Sequence, residues 1–325
     1  MLLDLPNVVL NEVLDASDFR SILILRKVCH SLRDYIDTEV PDAKLTSLEL
    51  SVQDEDVIVR YGTCGRYRYG VHENGCYVEE EDGETRVLEN QNYLETFFND
   101  LKIVLKHQKS EMDLFDLLRR HSPSYDCSPF LATLKTILES RPEFLKTKRF
   151  HPSVLNQNEL METLPYLNPD HLKEAFILHT RTEEPETFSE IDQLVELEQW
   201  KKLEKIAIPA FNVSGAALRH FVHFRQFLVF MEKLTSEDLE FLKETFLQSP
   251  TFENVDFNYK EYDGQEEDFS DVFGIPLVDE NESSWYFKFP NSEDILAIVH
   301  MKLEFPRFDI FRMSPDRVPA GAIVQ

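Results

Sequence analysis

Cysteine is scarce in this sequence. Cys29, Cys64, Cys76 and Cys127 are the four among 325 residues, too few and too scattered for a secreted disulfide framework, so a reducing intracellular setting, cytoplasm or nucleus, is expected. Cations are outnumbered as well: 34 Lys and Arg against 60 Asp and Glu leave a formal charge of -26, which argues against nucleic acid and against anionic membrane surfaces as partners. No membrane-length apolar run is present, since the longest uncharged stretch lies between Lys205 and Arg219, short of the roughly 20 residues a bilayer helix needs. The opening MLLDLPNVVLNEVLD carries acids and a proline within its apolar run and lacks a basic leading region, so no signal peptide is expected.

Catalytic signatures are missing too. There is no Gly-x-Ser-x-Gly, no His-Glu-x-x-His and no phosphate loop, and none of the four thiols has an activating neighbourhood in the sequence, so no enzyme is expected. Cys64, His72 and Cys76 lack a fourth ligand and paired spacing for zinc, and His220 and His223 lack a carboxylate or thiol partner; neither a metal nor any other cofactor is expected. Only 9 glycines are present, which argues against a doubly wound domain with glycine-rich turns after its strands.

What is present is a chain 42% apolar, enough for a substantial core. Near the start, Pro6 suits a first helical turn, and Val9, Leu10, Val13 and Leu14 share one helical face. Asp18 reads as the N-cap of a second short helix with Phe19, Ile22 and Leu23. Leu25, Val28, Cys29, Leu32 and Ile36 repeat at the spacing of a third helix, with Arg26, Lys27, His30 and Arg33 falling largely on its other side. Three helices in about 40 residues cannot enclose a core. Their excess apolar surface must pack on the rest of the chain or on another protein.

From Pro41 the pattern changes. KLTSLELSV, VIVRYG, RYRYGVH, CYVEEE and ETRVLE read as short strands, and Asn74-Gly75 and Asp82-Gly83 as tight turns; a small antiparallel meander over 41–89 is expected. NYLETFFNDLKIVLKHQ predicts a helix with Leu94, Phe97, Phe98, Leu101, Val104 and Leu105 inward. Further helices are expected near 129–140, 156–163, 187–202, 214–224 and 235–248, and strands centred near Lys148, Phe176, Ile206, Leu228 and Val255. Strand centres roughly 20 to 30 residues apart read as stacked helix-strand units. The fold class expected is therefore α+β with an α-β repeat: three helices, a meander, then an irregular leucine-rich-repeat-like solenoid over 90–325. Trp200 reads as a packed anchor, and the acidic 261–271 as a loop.

Leu5-Pro6, the pairs Val9-Leu10 and Val13-Leu14, and Leu25-Arg26-Lys27-Val28-Cys29-His30-Ser31-Leu32-Arg33 closely resemble an F-box, in the form found in nematode F-box A proteins, over about residues 1–40. VELEQWKKLEKIAI, HFVHF, LTSEDLEFLKETFLQSPTFENVDFNY and YFKFPNSEDILAIVHMKLEFPRFDIFRM resemble the FTH domain that follows the F-box in those proteins. The resemblance implies binding to the Skp adaptor of cullin-based SCF ubiquitin ligases through Leu5, Pro6, Val9, Leu10, Val13, Leu14, Ile22, Leu25, Val28, Cys29 and Leu32. It implies too that the FTH domain is an interaction domain for an unknown target protein, making the chain a substrate receptor for ubiquitin-dependent degradation. A non-degradative F-box scaffold is the alternative. Some of the eleven residues must hold the three helices together, and pattern alone does not divide them.

Overall fold

A computed structural model describes residues 5–120, 126–179, 191–264 and 269–325. The chain divides into two compact units, one made of 1–154 with 158–172 and the other of 155–157 with 173–325.

The first unit opens with α1 (Asn7–Ala16), α2 (Phe19–Val28) and α3 (His30–Glu39). The Asp18 carboxylate accepts the Ser21 N–H at 2.8 Å and so caps α2. The third helix does not begin where its spacing placed it: Leu25 and Val28 belong to α2, and Cys29, in extended conformation, breaks the chain before α3. The apolar repeat runs through the break because a sharp turn between two short helices can preserve which side faces inward.

Next come β1 (Ser47–Val52), β2 (Asp56–Arg60), β3 (Arg66–His72), β4 (Gly75–Glu80) and β5 (Thr85–Glu89), each antiparallel to its predecessor. Gly75 has φ +151, and a Cβ there would meet the Leu88 carbonyl oxygen at 2.2 Å, so the predicted Asn74-Gly75 turn requires its glycine. Helix α4 (Tyr93–His107) is capped by Asn92 and buries Phe97, Phe98, Leu101, Val104 and Leu105. It leads to β6 (Met112–Arg119), α5 (Ser128–Glu139), β7 (Thr147–Val154) and the short α6 (Gln157–Met161). Strand β6, which the sequence reading did not assign, runs parallel to both β1 and β7. The meander is thus not a separate small sheet but the antiparallel end of a mixed one. Missing β6 has a physical reason: MDLFDLLR reads equally as a helical turn, and only its parallel neighbours fix it as a strand.

The second unit contains β8 (Glu174–Phe176), β9 (Leu178–His179), α7 (Asp192–Val195), α8 (Glu198–Lys202), β10 (Lys205–Val213), α9 (Gly215–Leu218), β11 (Gln226–Thr235), α10 (Ser236–Gln248), β12 (Asn254–Asp263), α11 (Ser270–Phe273), β13 (Leu277–Asp279), β14 (Glu282–Lys288), β15 (Ile295–Met301) and β16 (Arg307–Met313). Strands β8, β10, β11 and β12 pair in parallel, and the expected strand centres all fall inside observed strands. Beyond β12 the pairing turns antiparallel through β16, β15, β14 and β13. The sheet is mixed, rather than the run of parallel units that a leucine-rich-repeat-like array needs. Its closing hairpins bury nearly every residue of β14 and β15, so they lack the alternation that marks a strand in sequence. The helix expected over 187–202 is the broken pair α7 and α8 beyond residues 180–190, which lie outside the described ones. The helix over 214–224 is the single turn α9, and residues 265–268 of the expected acidic loop lie outside the described residues too.

Trp200 is buried, donates its indole N–H to the His220 carbonyl at 3.3 Å and meets Phe221 and Phe224 edge to face. His300 is wholly buried among Phe269 and Phe308, with Nε2 2.8 Å from the Tyr259 hydroxyl. Burial, aided by Lys302, pushes its pKa down to about 4. A folded pKa below the unfolded value near 6.5 means the unfolded chain binds the extra proton first. The stability of this unit is therefore full above about pH 6.5 and falls by about 3 kcal/mol as the pH drops toward 4. Denaturant titrations read by the two tryptophans, both buried here, check this: the slope is expected to flatten in His300→Leu.

Candidate functional site

The helical trio divides into two kinds of apolar side chain. Leu10, Leu14, Phe19, Ile22, Leu32 and Ile36 are buried, each 5% exposed or less. The opposite set lies open: Val8 is 73% exposed, Val28 62%, Ile24 58%, Val9 43% and Leu5 38%, with Pro6 and Cys29 exposed beside them in sequence. Val13 and Leu25 are half-buried. One exposed group sits on the first turn of α1 and the residues before it, the other on the second half of α2 and the break that follows.

Polar contacts hold this division in place. Arg26 grips Asp37 with two hydrogen bonds of 2.6 and 2.8 Å, joining α2 to α3. That bond holds the Asp37 carboxyl below its usual range and raises the Arg26 guanidinium above its own. The Tyr35 hydroxyl donates to Asn11 Oδ1 at 2.7 Å, joining α3 to α1. Of the other cations expected on the outer side, Arg33 donates to the Arg26 carbonyl, while Lys27 and His30 are exposed.

The buried side of the trio is closed by the chain itself. The Phe19 ring lies 5.6 Å from His107 at the end of α4, and His107 Nδ1, 2.9 Å from the Pro41 carbonyl, donates to it. Burial pushes the His107 pKa down, so the neutral ring is the form that packs. Lys106 donates to the Asp37 carbonyl and Lys44 to the Asp15 carbonyl. The Asp42 carboxylate accepts the Lys109 N–H at 2.9 Å; against burial, which raises it, the surrounding backbone N–H groups hold its pKa below the usual range.

Of the eleven nominated residues, Leu10, Leu14, Ile22 and Leu32 belong to the interior, and Leu5, Pro6, Val9, Val28 and Cys29 face outward. Sequence reasoning did not nominate Val8 and Ile24. The available signal was that each adds an apolar residue off the inward stripe of its helix, where a solvated surface favours polar ones. No chemistry-bearing cluster accompanies them: among the described residues no group of three His, Cys, Asp or Glu side chains is placed to hold a metal ion, and no helix is long and apolar enough to cross a membrane.

The two sets should answer mutation differently. Leu14→Ala is expected to destabilise the first unit by about 2 to 5 kcal/mol through its cavity, and Val28→Ser by less than about 0.5 kcal/mol. Chemical denaturation followed by circular dichroism separates the two.

Comparison with known proteins assigns residues 2–43 to the F-box domain family and residues 128–276 to the FTH domain family. The FTH match runs from the start of α5 to just beyond α11, and so ends before the 286–313 segment. A curated relative, F-box A protein 224 of Caenorhabditis elegans, is 26% identical over 258 residues, which are 77% of this chain and 64% of that protein; the match thus spans less than two thirds of the relative. The chain thus carries an amino-terminal F-box followed by an FTH domain and is a homologue of that F-box A protein.

Proposed function

We propose that this chain is the substrate-recognition subunit of an SCF-type, cullin-based ubiquitin ligase. Its F-box docks a Skp-type adaptor, and its FTH region holds a target protein. The observation that carries the reading is the exposed apolar set on α1 and α2. A chain of charge -26 has ample polar side chains for a solvated helix, yet it leaves Leu5, Val8, Val9, Ile24 and Val28 uncovered, as an interface core requires. The adaptor would cover these side chains, with Pro6 and Cys29 beside them, while Leu10, Leu14, Ile22 and Leu32 shape the surface from beneath. Val13 and Leu25, half-buried, fall at the margin.

The role is one of proximity. Adaptor and cullin bring a charged conjugating enzyme, the FTH region brings the target, and tethering turns their encounter into one at high effective concentration. No bond chemistry is asked of this chain. The parallel strands β10, β11 and β12 with their helices support the FTH part of the reading, since stacked helix-strand units present extended surfaces.

Two measurements test the adaptor half. Val9→Asp/Val28→Asp is expected to weaken binding to a purified Skp-type adaptor by about 100-fold or more, since a carboxylate would be desolvated at the interface core, with the thermal midpoint of the free chain little changed. Cys29, the exposed thiol among the four cysteines, is expected to react readily with a maleimide and to be protected by the adaptor. An adaptor that binds the double variant as tightly as wild type overturns the reading. An adaptor complex that never recruits a cullin would instead favour the non-degradative scaffold.

A further inference from the structure

A cavity of about 750 Å³ opens within the first unit where the carboxyl ends of α3, α4 and α5 meet, and Lys102, Lys106, Lys109, Arg141 and Lys146 line it. Five cations around one hollow are out of proportion in a chain with nearly twice as many acids as bases. The two carboxylates on its rim do not balance them. Glu143 pairs with Lys146 at 3.2 Å, and Glu39 accepts from the Asn11 amide at 3.2 Å.

Helix carboxyl ends attract cations through their exposed carbonyls, and that accounts for part of the cluster: Lys106 donates to the Asp37 carbonyl at the end of α3, and one Arg141 nitrogen to the Gln108 carbonyl just past α4 at 2.7 Å. It does not account for the rest. Among the described residues Lys102, Lys109 and Arg141 have no carboxylate within ion-pair reach, and Arg141 Nε is fully buried without a hydrogen-bond partner. The side chain as a whole is half-buried; burial lowers the guanidinium's pKa against the pull of Glu143, a carboxylate that Lys146 already holds. A partly desolvated cation gains from an added counter-charge. Arginine presents a planar fork suited to phosphate oxygens, and mobile lysines add charge around it.

We propose that this cavity is a binding site for a phosphate-bearing anion, held by Arg141 with Lys102, Lys109 and Lys146 around it. Its lining includes none of the exposed apolar side chains assigned above to the adaptor, so the two sites are independent. A phosphate occupies only a small part of the volume, which leaves room for the group that carries it, either a free polyphosphate or a phosphorylated side chain of a bound protein.

Calorimetry of the full-length chain at 150 mM salt tests this with three probes: tripolyphosphate, a phosphoserine peptide with otherwise neutral residues, and the same peptide unphosphorylated. Saturable one-to-one binding is expected for at least one phosphate probe, with the unphosphorylated peptide inert. The affinity should fall at least tenfold in Lys102→Glu/Lys109→Glu, whose changed side chains are exposed, and in Arg141→Gln. Competition between the two phosphate probes marks the phosphate itself as the recognised group. Binding of tripolyphosphate alone points to a free compound, and of the phosphopeptide alone to a modified protein. If neither saturates, or the double lysine variant binds as wild type does, the proposal is overturned. Adaptor binding by that variant should be unchanged, so failure here is separable from failure of the adaptor reading.

Discussion

A three-helix segment too small to close its own core must borrow cover, and here one side of it borrows from α4. Phe19 against His107, with Lys106 and His107 reaching the backbone at Asp37 and Pro41, fixes the trio on the unit that carries the β-meander. Once that side is committed, the other is determined: Leu5, Val8, Val9, Ile24 and Val28 have nowhere to turn but outward. Burial favours the neutral His107 ring here, because a protonated one would have to be desolvated against Phe19.

The alternative posed by the amino-terminal pattern, packing on the chain or on a partner, is thus answered by both at once. A helix of ten residues has room for two stripes. In α2, Phe19 and Ile22 point inward while Ile24 and Val28 lie exposed. Periodicity marks the first stripe, since its spacing is that of a buried face. The second is visible only when the first is already placed, which is why periodicity does not single out Ile24 and does not separate the buried Leu10, Leu14, Ile22 and Leu32 from the exposed residues.

The same distinction governs the rest of the fold. Segments whose alternation or turn chemistry is local were legible: the strands bounded by Asn74-Gly75 and Asp82-Gly83, helix α4 with its Asn92 cap, and the strands holding Ile206, Leu228 and Val255. Segments decided by their neighbours were not. Strand β6 owes its state to β1 and β7, and β14 and β15, covered on both faces, lack a readable period. The mixed strand order within each unit depends on whether successive strands return directly or through a helix, and a run of similar spacings does not reveal where that changes. Nor does composition show that five of the 34 cations of an acidic chain line one cavity, since Lys102 and Lys109, in and just past α4, meet Arg141, just past α5, only in the fold.

The central claim is that the outward apolar set on α1 and α2 is a surface made to be covered by a second polypeptide. Amide hydrogen exchange of the full chain, alone and saturated with a Skp-type adaptor, tests it most directly. The account predicts slowed exchange over residues 5–13 and 22–32, with the parallel strands of the second unit unchanged. Unaltered exchange across both helical segments, with protection only in the FTH region, would contradict it.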